Sequence, residues 1–190
     1  MEEVGAPATR AGGSMIRVVL TGSESTGKSS LAWRLAKHYD ADYVPEFVRG
    51  YAEKKSGVLS FADHGPIARG QMAVEDEHIA TGKPLLIQDT DLLSTELYCD
   101  HYFGQCPRWI VDAARERRPD LYLLCDIDIP WIPDGVRDRG HLREEMQKLF
   151  RDAVVRSKVP FAVVSGDGDA RFTTATEAID AFLLTTRPSS

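Results

Sequence analysis

The chain has 190 residues, 43% of them hydrophobic and 27% charged, which is the balance of one globular domain able to bury its core without staples. Acidic side chains outnumber basic ones by 29 to 23, giving a formal net charge of −6; that argues against a dedicated nucleic-acid binder and leaves room for a local cationic pocket. Three scattered cysteines, five histidines without HxH or HExxH spacing and no membrane-length apolar run argue against a disulfide framework, a zinc site and a membrane span, so a cytoplasmic location is expected.

Residues 1–14 carry no apolar period and read as a disordered leader, and 185–190 as a tail, leaving a single domain over 15–184. Ile16–Thr21 is a β-branched apolar run bounded by Gly22 and predicts a strand. Lys28–Tyr39 places Leu31, Leu35 and Tyr39 on one face and predicts a helix. Asp42–Val44 is a shorter strand candidate. A long helix is expected from Ser60 to about Thr81, with Ser60 and Asp63 as a capping pair and Gly65-Pro66 interrupting the pattern. Further strands are expected over Leu85–Gln88, Leu121–Ile127 and Phe161–Ser165, and helices over Trp109–Arg118, Arg143–Arg156 and Arg171–Leu184. Short, nearly continuous apolar runs suit strands buried on both faces of a parallel sheet. The alternation predicts an α/β fold, doubly wound, with ligands at the carboxyl ends of the strands.

The motifs fall at those ends. Gly22-Ser-Glu-Ser-Thr-Gly-Lys-Ser29 satisfies the phosphate-loop (Walker A) pattern G-x-x-x-x-G-K-[ST], with a strand before it and a helix after it. Glycines let the backbone curl so that successive N–H groups face phosphate oxygens, and the helix start adds its positive dipole end. Lys28 is positioned to reach the β- and γ-phosphates, and the Ser29 hydroxyl to ligate Mg²⁺. Gly22, Ser25, Thr26, Gly27, Lys28, Ser29 and Ser30 form the expected nucleotide side.

Asp89-Thr-Asp91 follows the third strand. A carboxylate there can hold the water shell of Mg²⁺ or take a proton from an attacking hydroxyl, whereas Asp91 suits a helix cap as well as it suits a substrate contact. Glu46 and Arg49 lie one helical turn apart after the short strand, where they can grip a ribose hydroxyl or form a surface pair. Residues 130–143 hold two prolines, two glycines and Arg137, Arg139 and Arg143, the composition of a lid that covers a transferring phosphoryl group.

With this loop, V-P-E-F-V-R, Q-D-T-D and P-W-I-P-D-G-V-R in this order, the chain resembles the ribosylnicotinamide kinase domain of the bacterial NAD-biosynthesis regulator and similar P-loop ATPases. The resemblance runs from about Met15 to Leu184. It implies a P-loop fold with a five-stranded parallel core and helices on both faces, using ATP and Mg²⁺ to phosphorylate a ribose 5′-hydroxyl. It also implies Asp89 at the metal or base position, Glu46, Arg49, Trp131 and Asp134 near the substrate, Arg137 and Arg143 as lid arginines, and Arg171 near the adenine. Two departures stand out. Pro45 replaces the aromatic residue that stacks the nicotinamide ring, with Tyr43 and Phe47 as substitutes. The residues before the first strand are also too few for the regulator's repressor or adenylyltransferase modules, so DNA binding and adenylyl transfer are not expected. The rival readings are a kinase of another small molecule and a nucleotide-switched ATPase acting on a protein partner.

Overall fold

The structure is a computed structural model that describes residues 15–55, 59–130 and 142–186. Five parallel strands, β1 (Ile16–Thr21), β2 (Asp42–Val44), β3 (Leu85–Asp89), β4 (Leu121–Cys125) and β5 (Phe161–Val164), form one sheet in the order β2-β3-β1-β4-β5. The neighbours of β1 are β3 and β4, so the chain leaves the central strand toward opposite sides and opens a crevice at its carboxyl end. The phosphate-loop motif begins at that point.

Alternation along β1 assigns the two faces. Val18 and Leu20 pack with Leu31 and Leu35 of α1 (Lys28–His38) and, through β5, with Ala175 and Ile179 of the last helix, while Val19 turns to the opposite layer with Tyr122 and Val154. β3 and β4 are buried at every residue, which is why they read as unbroken apolar runs. The second layer is built from α2 (Phe47–Lys54), α3 (His64–Ile79), α4 (Leu92–Phe103), α5 (Arg108–Glu116) and α6 (Arg143–Ser157), with α7 (Gly168–Thr186) beside α1 on the first face. None of the described helices is long and apolar enough to cross a membrane.

The predicted strands all form, with β4 ending two residues short of the expected Ile127. Two helices go beyond the expectation. α2 has eight residues, contains Gly50 and buries only Ala52 fully, so it has little apolar periodicity to detect. α4 is mostly apolar, and its polar residues fall on more than one side; its start is marked instead by Asp91, whose carboxylate accepts from the Leu93 amide. α7 begins three residues before Arg171 and runs two residues into the expected tail. The Gly65-Pro66 pair sits inside the first turn of α3. Proline is tolerated there because those N–H groups have no intrahelical partner, and the expected Ser60–Asp63 capping box closes a short 3₁₀ turn immediately before it.

From the amino end of β1, Arg17 reaches along the sheet to Gln88 and the fully buried Glu75, and Arg117 joins the same carboxylate at 2.9 Å. This cluster fastens α3 and the end of α5 under the sheet. α2 and α3 approach closely: a Cβ on Gly70 would lie 2.2 Å from the Phe47 ring.

Candidate active site

The loop between β1 and α1 takes the curl its motif requires. Gly22 (φ 122°) and Gly27 (φ 74°) occupy backbone conformations that favour glycine, and a Cβ on Gly22 would stand 2.7 Å from the Cys125 carbonyl oxygen. Ser25 also adopts a positive φ of 54°, a strained state for a non-glycine residue. Lys28 is buried in the curl, where its ammonium donates to the carbonyls of Gly22 (2.9 Å) and Ser23 (2.6 Å) and to Thr26 Oγ1 (3.3 Å). A cation therefore stands inside a ring of loop backbone at a helix start, the arrangement that recognises polyanionic phosphate. Ser29 is half-buried, and Ser30 is exposed on the first turn of α1.

Three side chains from outside grip the loop. Gln147 accepts from the Ser23 amide (2.9 Å) and donates to the Cys125 carbonyl (3.0 Å), stitching the loop to the end of β4. One turn earlier on α6, Arg143 donates to the carbonyls of Ser25 (3.1 Å) and Ile129 (2.9 Å). From α7, Arg171 donates to the carbonyls of Thr26 (2.9 Å), Gly166 (2.7 Å) and Asp126 (3.2 Å), and pairs with the Asp128 carboxylate. Arg171 was expected near the adenine. In the structure its donors go to loop backbone and Asp128, and it is 4% exposed. Gln147 escaped the sequence reading; the only signal for it was its position four residues after Arg143, on the same helical face.

Across from Lys28, Asp89 ends β3 and is 1% exposed. Its Oδ1 is buried without a hydrogen-bond partner among the described residues. Burial, then the nearby Glu46 carboxylate, raise the Asp89 carboxyl above its ordinary range, while Ser29, Lys28 and Arg49 pull it down. Glu46 stands at the N-cap of α2 without capping it, and its carboxylate pairs with half-exposed Arg49 at 3.6 Å. Tyr43 faces the same carboxylates from β2; burial, then Asp89 and Glu46, push its phenol up to about 12. Phe47, the other aromatic candidate, is wedged against Gly70, and Pro45 is exposed. Asp89, Glu46, Arg49 and Tyr43 thus converge on one side of the loop.

Thr90 turns the chain away from β3 at φ 68°, an outlier for a β-branched residue. Its hydroxyl is shared with Ser94, and its amide donates to the Leu20 carbonyl (3.0 Å). This kink sends Asp89 toward the loop and Asp91 away from it. Asp91, expected on the substrate side, is buried with both oxygens engaged, Oδ1 by the Leu93 amide (3.1 Å) and Oδ2 by the Tyr122 hydroxyl (2.7 Å). It is a structural cap on α4.

Burial raises the Asp91 carboxyl to about 6. A carboxyl raised on folding favours the native state below its unfolded value near 3.9 and loses that contribution as pH rises toward 6. Asparagine keeps the cap without the charge. Asp91→Asn should therefore be more stable than wild type at neutral pH by about 2 kcal/mol, after allowance for the lost helix-dipole attraction, or roughly 4–8 °C in Tm. Thermal melts at pH 7.5 and pH 4 check this, the gain vanishing at the lower pH. Trp131, Asp134, Arg137 and Arg139 lie outside the described residues.

The AAA domain family (AAA_28) matches residues 17–171, from the first strand to the start of the last helix. The chain belongs to this family. Among curated proteins, this AAA domain is 29% identical over 169 residues to the trifunctional NAD biosynthesis/regulator protein NadR of Escherichia coli K12, covering 85% of the chain and 41% of that protein. The NadR of Salmonella typhimurium is 28% identical over the same span. The chain therefore spans about two-fifths of the length of the curated relatives it matches. Among solved structures, a NadR protein in complex with NAD and AMP-PNP superimposes with a TM-score of 0.70 at 21% identity, covering 93% of this chain and 51% of that one. A thymidylate kinase from Ehrlichia chaffeensis follows at 0.63 and 17% identity, covering 88% and 98%. The likeness to whole nucleotide kinases bears out the expected P-loop kinase-like fold of this AAA domain.

Proposed function

We propose that the chain transfers the γ-phosphoryl group of ATP to a nucleoside 5′-hydroxyl, with ribosylnicotinamide as the first candidate acceptor. The carrying observation is Asp89: a buried carboxylate with an unpartnered oxygen, set beside a phosphate loop that holds Lys28 in its curl. A strand-end carboxylate that holds Mg²⁺ suits any nucleotide site; the second carboxylate beside it, Glu46, is what an acceptor hydroxyl would use. The NadR relatives and the fold of the nucleotide kinases support the same reading.

In this reading the loop amides and Lys28 hold the β- and γ-phosphates, and catalysis is positioning with charge stabilisation. Mg²⁺, when bound with ATP, neutralises phosphate charge. Oxygen ligands suit it, and Ser29 Oγ and Asp89 Oδ1 are oxygen donors facing the same side of the loop, so the residues fit the ion. The acceptor oxygen bonds to the γ-phosphorus as the bond to ADP breaks, and a carboxylate, Asp89 or Glu46, receives the hydroxyl proton. Arg49 and Tyr43 line the acceptor side. Arg137 and Arg143 remain the lid arginines of the proposal, although Arg143 already serves the loop backbone.

One observation favours an acceptor other than ribosylnicotinamide: position 45 offers no ring, and Phe47 is held against Gly70, leaving Tyr43 of these three positions as the aromatic group facing the carboxylates. ADP release from Mg²⁺·ATP, with nicotinamide riboside, uridine, cytidine, adenosine and thymidine as acceptors, decides the matter. Stimulation by nicotinamide riboside of at least about 10²-fold over the acceptor-free rate is expected, on the scale by which a placed acid–base group accelerates transfer. Stimulation by another nucleoside alone reassigns the acceptor. A slow rate indifferent to all of them removes the kinase reading in favour of a nucleotide switch.

A further inference from the structure

Two buried guanidinium groups hold the outer side of the phosphate loop, and neither has a role in the chemistry set out above that depends on this contact. Arg143 is 8% exposed and Arg171 4%. They come from different helices and take successive loop carbonyls, Ser25 at 3.1 Å and Thr26 at 2.9 Å. In a trans peptide the C=O and N–H point in opposite directions. Fixing the Ser25 carbonyl from outside therefore turns the Thr26 N–H the other way, and fixing the Thr26 carbonyl does the same for the Gly27 N–H. Ser25, which precedes the first of these peptides, has φ 54°, a conformation that a non-glycine residue keeps only when its surroundings enforce it.

We propose that Arg143 and Arg171 are positioning residues of the nucleotide site, orienting the Thr26 and Gly27 amides toward the phosphates by holding their peptide units from behind. The proposal rests on the reading of the loop as a nucleotide site, and it replaces an adenine contact by Arg171 with a role directed at phosphate. The fork geometry matters. Arg171 spans the carbonyls of Thr26, Gly166 and Asp126 while pairing with Asp128, so one planar group ties the loop to the chain after β4 and to the turn before α7. A lysine carries the charge but cannot bridge these acceptors from one plane. Gln147 completes the set by directing the Ser23 amide away from the curl. The amides after Ser25 and Thr26 are thus left to the phosphates together with those of the first turn of α1.

The test is competition against a fluorescent ATP analogue by ATP, by inorganic tripolyphosphate and by adenosine, on the full chain with fixed Mg²⁺ and no acceptor. Arg171→Met should weaken ATP and tripolyphosphate by the same factor, about 10- to 100-fold, and leave adenosine unchanged. Arg171→Lys should recover little of the loss. A loss for ATP and adenosine with tripolyphosphate unaffected means that Arg171 touches the base, and overturns the proposal. Full recovery by lysine also overturns it, because charge alone then suffices. If Arg171→Met does not fold, Arg171→Gln, which keeps a planar amide donor but cannot span the carbonyls of Thr26, Gly166 and Asp126, carries the same comparison and the same outcomes. Wild-type chain that binds nucleotide yet phosphorylates no acceptor removes the kinase reading and leaves this one standing; wild-type chain that binds no nucleotide removes both.

Discussion

Lys28→Ala should lower acceptor-dependent phosphoryl transfer about 10³-fold or more while the chain stays folded. The magnitude follows from where the ammonium sits. Lys28 is the first residue of α1 and is buried within the loop, touching three loop oxygens at 2.6–3.3 Å. Removing one neutral donor from a site of developing charge costs about 10²–10³ in rate, and a full charge in a buried site is worth at least that, about 4 kcal/mol for 10³-fold. The structural cost is smaller. The apolar face of α1 is carried by Leu31, Ala32 and Leu35, and the ammonium contributes hydrogen bonds rather than packing. The expected change is about 1 kcal/mol, or roughly 2–4 °C in Tm. Lys28→Met, which keeps the stem and removes the charge, should fall with Lys28→Ala. Steady-state ADP release, with melting curves of each variant, checks both. Transfer retained at wild-type rate in either folded variant overturns the assignment of the loop.

The parts of the molecule legible in the sequence are those whose physics is local. Strands β1, β3 and β4 are buried on both sides and read as apolar runs. The glycines of the loop are required by conformation and close approach, as the 2.7 Å from a Gly22 Cβ to the Cys125 oxygen shows. Asp89 was expected because it follows a buried strand at the ligand end. What escaped depends on direction and distance. Nothing in the spacing of Asp89 and Asp91 says that a positive φ at Thr90 sends one carboxylate to the loop and the other to Tyr122. Nothing in the position of Arg171 tells that its guanidinium reaches back to the Thr26 carbonyl, 145 residues earlier, instead of to a base. α2 was hidden by its brevity and its single fully buried residue, and α4 by apolar residues spread around its circumference.

Asp89 and Asp91 also supply the contrast that sets the second large effect. Both carboxyls are buried and both are raised on folding, so a raised carboxyl does not by itself mark function here. The difference is satisfaction: Asp91 has a partner on each oxygen, and Asp89 Oδ1 has none among the described residues. A buried acceptor without a partner costs about 1–3 kcal/mol. Glu75 Oε1 carries the same cost, but the other Glu75 oxygen holds Arg17 and Arg117, whereas Asp89 stands beside the phosphate loop with Ser29 and Lys28. Asp89→Asn should therefore lower kcat by about 10²–10⁴, the range of a placed general base, whereas Asp91→Asn should leave it unchanged. The pH dependence has a definite sign. If the ionised carboxylate is the working form, wild-type activity rises with pH through the raised Asp89 value and levels off above it, and Asp89→Asn loses that limb. Glu46→Gln removes the second cause of the upward shift, so the wild-type limb should move to lower pH in that variant while Asp89 remains the group that titrates. If Glu46→Gln abolishes the limb and Asp89→Asn merely displaces it, the proton passes to Glu46, and Asp89 is left with the metal position alone.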